Sequence, residues 1–188
     1  MKTNFLDILT ESISQDQAMM GVLKKVQTLE LPDSWVGAGF VRNKAWALLH
    51  GRENEISLTD IDVVFYDSSI ENMSEHESQL QRKLEMLDST LDWEVINQAR
   101  THLWHNREPY HNTTEAISEW VETAPCIGVR LISNDELEFT APHGVYDLEN
   151  LILRPVPSMK DLDVFKGRIE KKGWLRLWPK LKVEVNPL

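Results

Sequence analysis

Apolar side chains recur at two different periods along this chain, and the change from one period to the other predicts where helices give way to strands. Between residues 4 and 29, Phe5, Ile8 and Leu9, then Met19, Val22, Leu23, Val26 and Leu29, follow the repeat of an amphipathic helix. A polar break near Ser14-Gln15 divides that stretch into two helices. Leu31-Pro32-Asp33 reads as a turn, and Trp35-Val36 as a very short strand running into Gly37-Ala38-Gly39. Phe40 to His50 returns to the helical repeat through Phe40, Val41, Ala45, Leu48 and Leu49, with Gly51 placed to end it.

From Ile61 to Tyr66 the pattern is nearly continuous in apolar residues, as expected of a strand inside a sheet. Glu75 to Leu87 predicts a polar helix striped by Leu80, Leu84 and Leu87, and Trp93 to Ile96 a second strand. Asn112-Thr113-Thr114-Glu115 has the spacing of a capping box and predicts a helix through Val121. Ile127 to Leu131 and Leu137 to Thr140 flank Ser133-Asn134-Asp135, a predicted hairpin. Asp147 to Leu153 predicts a short helix, and Arg154-Pro155-Val156-Pro157 an extended connector to a last helix. Strands interspersed with helices and a hairpin predict an α+β fold, a small mixed β-sheet flanked by helices. A length of 188 residues suits one domain. Residues 1–30 would supply N-terminal helices, 34–157 the core and 158–188 a basic C-terminal helix.

Composition narrows the class. With 41% hydrophobic and 27% charged residues the chain reads as globular. No stretch approaches the roughly 18 consecutive apolar residues of a membrane-spanning helix, so no membrane partner is expected. The first residues, MKTNFLDILTESISQ, lack the apolar core of a signal peptide. Cys126, the one cysteine, can form no internal disulfide. A cytoplasmic location is the expectation, and Cys126, set in an apolar strand-like stretch, is a poor nucleophile. The net charge of −10 disfavours wholesale binding to nucleic acid. Lys160 to Lys182 is the exception, with eight basic residues against three acidic ones and Phe165, Trp174 and Trp178 interleaved. That segment could meet a polyanion, but reads more simply as an amphipathic helix with its aromatics on the core and its lysines in water.

Candidate chemistry begins at LTDIDVVFYD, residues 58–67. Asp60 and Asp62 lie two apart at the start of the apolar run, so in a strand they project from one face about 6 to 7 Å apart. Two carboxylates that close repel unless a cation lies between them. Upstream, Gly37-Ala38-Gly39 precedes a helix whose first N–H groups are suited to a phosphate. Downstream, Glu94 sits between Trp93 and Val95, where a charge is awkward unless used; Asp92 shares its face and is the alternative third acid. Three carboxylates can hold two Mg²⁺ ions for phosphoryl or nucleotidyl transfer. Arg42, just inside the helix, is placed to reach a triphosphate. Arg52 and Arg130 read as structural or surface arginines, and Asn97, Gln98 and Arg100 as ligand contacts or a strand-end network. His102, His105 and His111 match no standard zinc spacing.

These motifs carry a resemblance. WVGAGFVRNKAW, LTDIDVVFYD, WEVINQAR, TAPCIGVRL and FTAPHGVYDLENLILRPV, together spanning most of the chain from Trp35 to Trp178, resemble an uncharacterised bacterial nucleotidyltransferase-like family of the polymerase-β-like nucleotidyltransferase superfamily. The resemblance implies the nucleotidyltransferase fold, Mg²⁺ as cofactor, and transfer of a nucleoside monophosphate from a nucleoside triphosphate to an acceptor it does not specify. It implies that Asp60, Asp62 and Glu94 are the catalytic and metal-binding acids, and that Gly37, Ala38 and Gly39 hold the phosphates. The alternative is a binding module that keeps the fold without turnover.

Overall fold

The computed structural model describes residues 4–55, 58 and 60–185, apart from the side chains of Asn54 and His105. Residues 1–3 and 186–188, at the ends of the predicted terminal segments, and Thr59 of LTDID lie outside it. The N-terminal repeat forms α1 (Phe5–Ser14) and α2 (Gln17–Gln27). They are separated as the polar break predicts, because Asp16 accepts hydrogen bonds from the Ala18 and Met19 N–H groups and caps α2. The same carboxylate pairs with buried Lys44 at 2.9 Å, fixing α2 to the third helix.

Next come β1 (Trp35–Gly37), α3 (Gly39–His50), β2 (Asp60–Phe65), α4 (Met73–Leu87) and β3 (Asp92–Asn97). A 3-10 segment, Gln98–His105, leads to α5 (Thr113–Ser118). Asn112 caps α5 through the Glu115 N–H, but Glu115 reaches back to the His111 N–H, one residue before the capping-box position, and the helix stops short of Val121. The hairpin is β4 (Gly128–Leu131) and β5 (Leu137–Thr140), with Asn134 and Asp135 in left-handed conformations at its turn.

Two expectations are corrected at the C-terminal end. The predicted Asp147–Leu153 helix is only α6 (Tyr146–Glu149), followed by a strand, β6 (Ile152–Leu153). Leu151 at φ 58° turns the chain out of the helix. The last helix is also divided: α7 (Leu162–Lys172) ends at Gly173 in the left-handed region, and α8 (Trp174–Leu177) and β7 (Lys182–Val183) follow.

The main sheet runs β3-β2-β1-β4-β5, with β2 and β3 parallel and the other neighbours antiparallel, so the expected small mixed sheet is present. One side of β2 turns Ile61, Val63 and Phe65 into the principal core, where Trp46 of α3 meets the Trp174 and Trp178 rings edge-on at 5.6 and 6.2 Å. The other side carries Val64 into a second cluster with Trp35, Ile117, Cys126 and Val156. Burial of each such side chain contributes about 2 to 3 kcal/mol. Among the described residues no helix is long and apolar enough to cross a membrane.

Candidate active site

Two neighbouring strands present the acids. In the parallel pairing of β2 with β3, Asp60 stands opposite Asp92 and Asp62 opposite Glu94. All four therefore share a face, while Ile61, Val63, Trp93 and Val95 between them are buried on the other. Asp60, Asp92 and Glu94 are exposed and Asp62 is half-buried. Burial, and next the Glu94 carboxyl beside it, push the Asp62 carboxyl up to about 6, with Arg42 pulling weakly the other way.

The four acids line a cleft of about 660 Å³ that is closed by Trp120 and Glu122 and by Arg168 and Lys172 of α7. A recess of about 100 Å³ shares Ala38, Asp60, Asp62, Arg168 and Lys172 with it and adds Gly39 and Arg42. Each residue of the glycine turn has a different task. A Cβ on Gly37 would lie 2.8 Å from the Trp120 ring, so the glycine makes room for the indole. Ala38 has φ 50° and ψ −115°, a conformation side chains rarely adopt, and it supplies no side-chain cap to α3. Gly39 opens α3, and a Cβ there would meet only ordinary contacts, the nearest Arg42 Nη2 at 3.5 Å. The Arg42 N–H bonds the Ala38 carbonyl, which leaves the preceding N–H groups of α3 free for an anion.

Arg42 does not extend into solvent. It is 7% exposed, stacked within 5.0 Å of the Trp46 ring and 4.7 Å of the Trp174 ring, and donates to Asn43 Oδ1 from Nε and Nη2. Burial pulls its pKa down to about 10; Glu122 opposes, Arg168 adds to the fall, and Asp62 opposes weakly. The sequence does not mark Glu122, and it marks Arg168 and Lys172 only as part of the basic segment from Lys160 to Lys182. Arg168 and Lys172 are four apart on α7 and so share a side of the helix. Glu122 follows Trp120-Val121 but precedes Thr123, so it lacks the apolar neighbours on both sides that mark Glu94.

Other candidates lie apart from the cleft. Arg52 pairs with Glu55, and Arg130 lies over the Trp35 ring and pairs with Glu138. Asn97 ties the ends of β2 and β3 through both backbone groups of Asp67, the strand-end network. Cys126 is buried, donates to the Glu122 carbonyl, and has its thiol pKa pushed up by burial. Among the described residues no three His, Cys, Asp or Glu side chains form a ready-made metal cage.

The chain is similar over 99% of its length to a solved protein whose NMR structure reveals a CCA-adding enzyme head domain, at 29% identity, 98% coverage of that chain and a TM-score of 0.85. It also has the fold of part of the Thermotoga maritima CCA-adding enzyme complexed with tRNA (15% identity, TM-score 0.58) and of a CCA-adding enzyme complexed with CTP (14%, 0.59). Those matches cover 97% of this chain but only 42% and 43% of the longer enzymes. No curated protein matches. Residues 24–183 match the model of a nucleotidyltransferase family, and the chain belongs to that family.

Proposed function

We propose that the chain is a Mg²⁺-dependent nucleotidyltransferase that moves a nucleoside monophosphate from a nucleoside triphosphate to an acceptor hydroxyl. The observation that carries this reading is the register that sets Asp62 against Glu94 and Asp60 against Asp92 on the open side of the sheet, beside the β1–α3 turn. The donor set fits the ion: carboxylate oxygens alone, with the Asp62 carboxyl raised in pKa by burial and then by Glu94. Mg²⁺ is held by one or two carboxylates plus substrate phosphates, and Asp60 and Asp62 supply such a pair in the cleft. Asp60 and Asp62 would hold the metal, with Glu94 as third acid. An ion held there would screen the carboxylates and supply charge stabilisation for the transfer.

The chain's own groups do the positioning. The α3 N–H groups and the Arg168 and Lys172 cations meet the phosphates, with Ala38 and Gly39 lining the same recess. As the acceptor oxygen bonds to the α-phosphorus, the bond from that phosphorus to the pyrophosphate oxygen breaks. The hydroxyl proton passes to Glu94, and pyrophosphate leaves. The two CCA-adding enzymes complexed with tRNA and with CTP share the fold, which makes an RNA end one acceptor to assay among others.

The test is calorimetric titration of the four nucleoside triphosphates, with and without Mg²⁺, on the wild type and on Asp60→Asn/Asp62→Asn, followed by an assay of pyrophosphate release. Metal-dependent binding lost in the variant supports the proposal. Binding without turnover for any acceptor makes the chain a binding module, and no binding at all removes the site.

A further inference from the structure

Glu122 is 1% exposed yet lines the cleft. Its backbone is fixed on both sides. The Thr123 N–H donates to the Arg154 carbonyl at 2.9 Å, the Val156 N–H to the Val121 carbonyl at 3.1 Å, and Cys126 Sγ to the Glu122 carbonyl at 3.1 Å. Glu122 also forms an antiparallel bridge with Pro155. A carboxylate on so rigid a segment stays where it is when a ligand arrives, and can serve as an anchor for a mobile partner.

The partner is Arg168. Its Nε lies 3.1 Å from Glu122 Oε1 and 3.3 Å from Oε2, and its side chain is 41% exposed on α7. A guanidinium has two usable edges. Glu122 takes the Nε edge, and among the described residues no acceptor hydrogen-bonds the Nη groups, which belong to a side chain lining both cavities. Arg42 and Arg168 also act on each other as like charges, and the Glu122 carboxylate acts attractively on both.

We infer that Glu122 is a positioning residue of the triphosphate site: it grips Arg168 by Nε so that the Nη fork faces the phosphates. The inference rests on the function proposed above. It assigns Glu122 no contact with the reacting atoms.

The test is calorimetric titration of the full chain with Mg²⁺-ATP, Mg²⁺-CTP and inorganic triphosphate as a base-free probe. Glu122→Ala should weaken triphosphate binding about tenfold, and Glu122→Gln, which keeps an acceptor for Nε, should stay within about threefold of wild type. In an Arg168→Ala background Glu122→Ala should add nothing further, an interaction that a merely structural loss would not show. Arg168→Lys, which keeps the charge but has no second edge, should lose nearly as much as Arg168→Ala. It decides the matter if Glu122→Ala does not fold. Unchanged affinity in Glu122→Ala, full additivity with Arg168→Ala, wild-type affinity in Arg168→Lys, or tenfold tighter binding in Glu122→Gln would each overturn the inference. If the wild type binds no triphosphate, the proposed function itself falls, and that result is read before any variant.

Discussion

Arg42 and Arg154 are the same residue at nearly the same exposure, 7% and 6%, in opposite surroundings. Arg154 donates to Asp147 at 3.0 Å and to Glu184 at 2.7 Å, and those pairings raise its pKa. Arg42 rests between two indole rings with a neutral amide as its hydrogen-bond acceptor, and burial pulls its pKa down to about 10. Permanent anions satisfy the first cation and make it part of the frame. The second is left under-compensated beside Asp62, Glu122 and the glycine turn, where an incoming anion would complete it. Burial of a charge alone therefore says little about its task, and the identity of its partners decides.

The comparison can be broken most severely at the frame. Arg154→Met should cost about 3 to 5 kcal/mol, because it strands buried Asp147 without its cation, as read by denaturant unfolding. Next in size is Asp62. Its carboxyl is raised from 3.8 to about 6 in the fold, so the fold favours the neutral form and loses stability as pH rises through about 4 to 6. In metal-free buffer at neutral pH, Asp62→Asn should melt higher than wild type by the equivalent of up to about 3 kcal/mol. The gap should close toward pH 4, and a variant that melts lower at every pH would refute the crowded-carboxylate account. Gly37→Ala should cost about 1 to 3 kcal/mol by pushing on Trp120 and the Ile127 carbonyl, measured by thermal melting. The smallest stability effect belongs to Arg42→Met, within about 1 kcal/mol of wild type, since a desolvated cation is replaced by an apolar chain of similar length. Its triphosphate affinity should nevertheless drop about tenfold or more. Equal destabilisation by Arg42→Met and Arg154→Met would erase the distinction.

Much of this frame is legible in the sequence. The helix break near Ser14-Gln15, the hairpin turn at Ser133-Asn134-Asp135 and the strand after Asp60 follow from local rules that act over a few residues. The acids of β2 and β3 were visible because a charge interrupts an apolar run there. The remaining walls of the cleft were not, since Trp120, Glu122, Arg168 and Lys172 come from segments far along the chain, and their approach to Asp62 is a product of packing. The basic C-terminal segment reads correctly as aromatics on the core, with Phe165 and Trp174 buried. What its periodicity does not reveal is that Arg168 and Lys172 turn toward the acids. Nor does it show that Gly173 stops the helix.

The parallel seam between β2 and β3 has one more consequence, for how the chain finds its fold. A slip of one residue in that seam would turn one strand over against the other; a displaced β3 would carry Asp92 and Glu94 inward and Trp93 and Val95 out to water. Each buried, unpaired carboxylate would cost several kcal/mol, so wrong pairings are rejected by the acids themselves. The carboxylates thus act as an alignment mark during assembly, and the register of the strand ends is set by the chain alone.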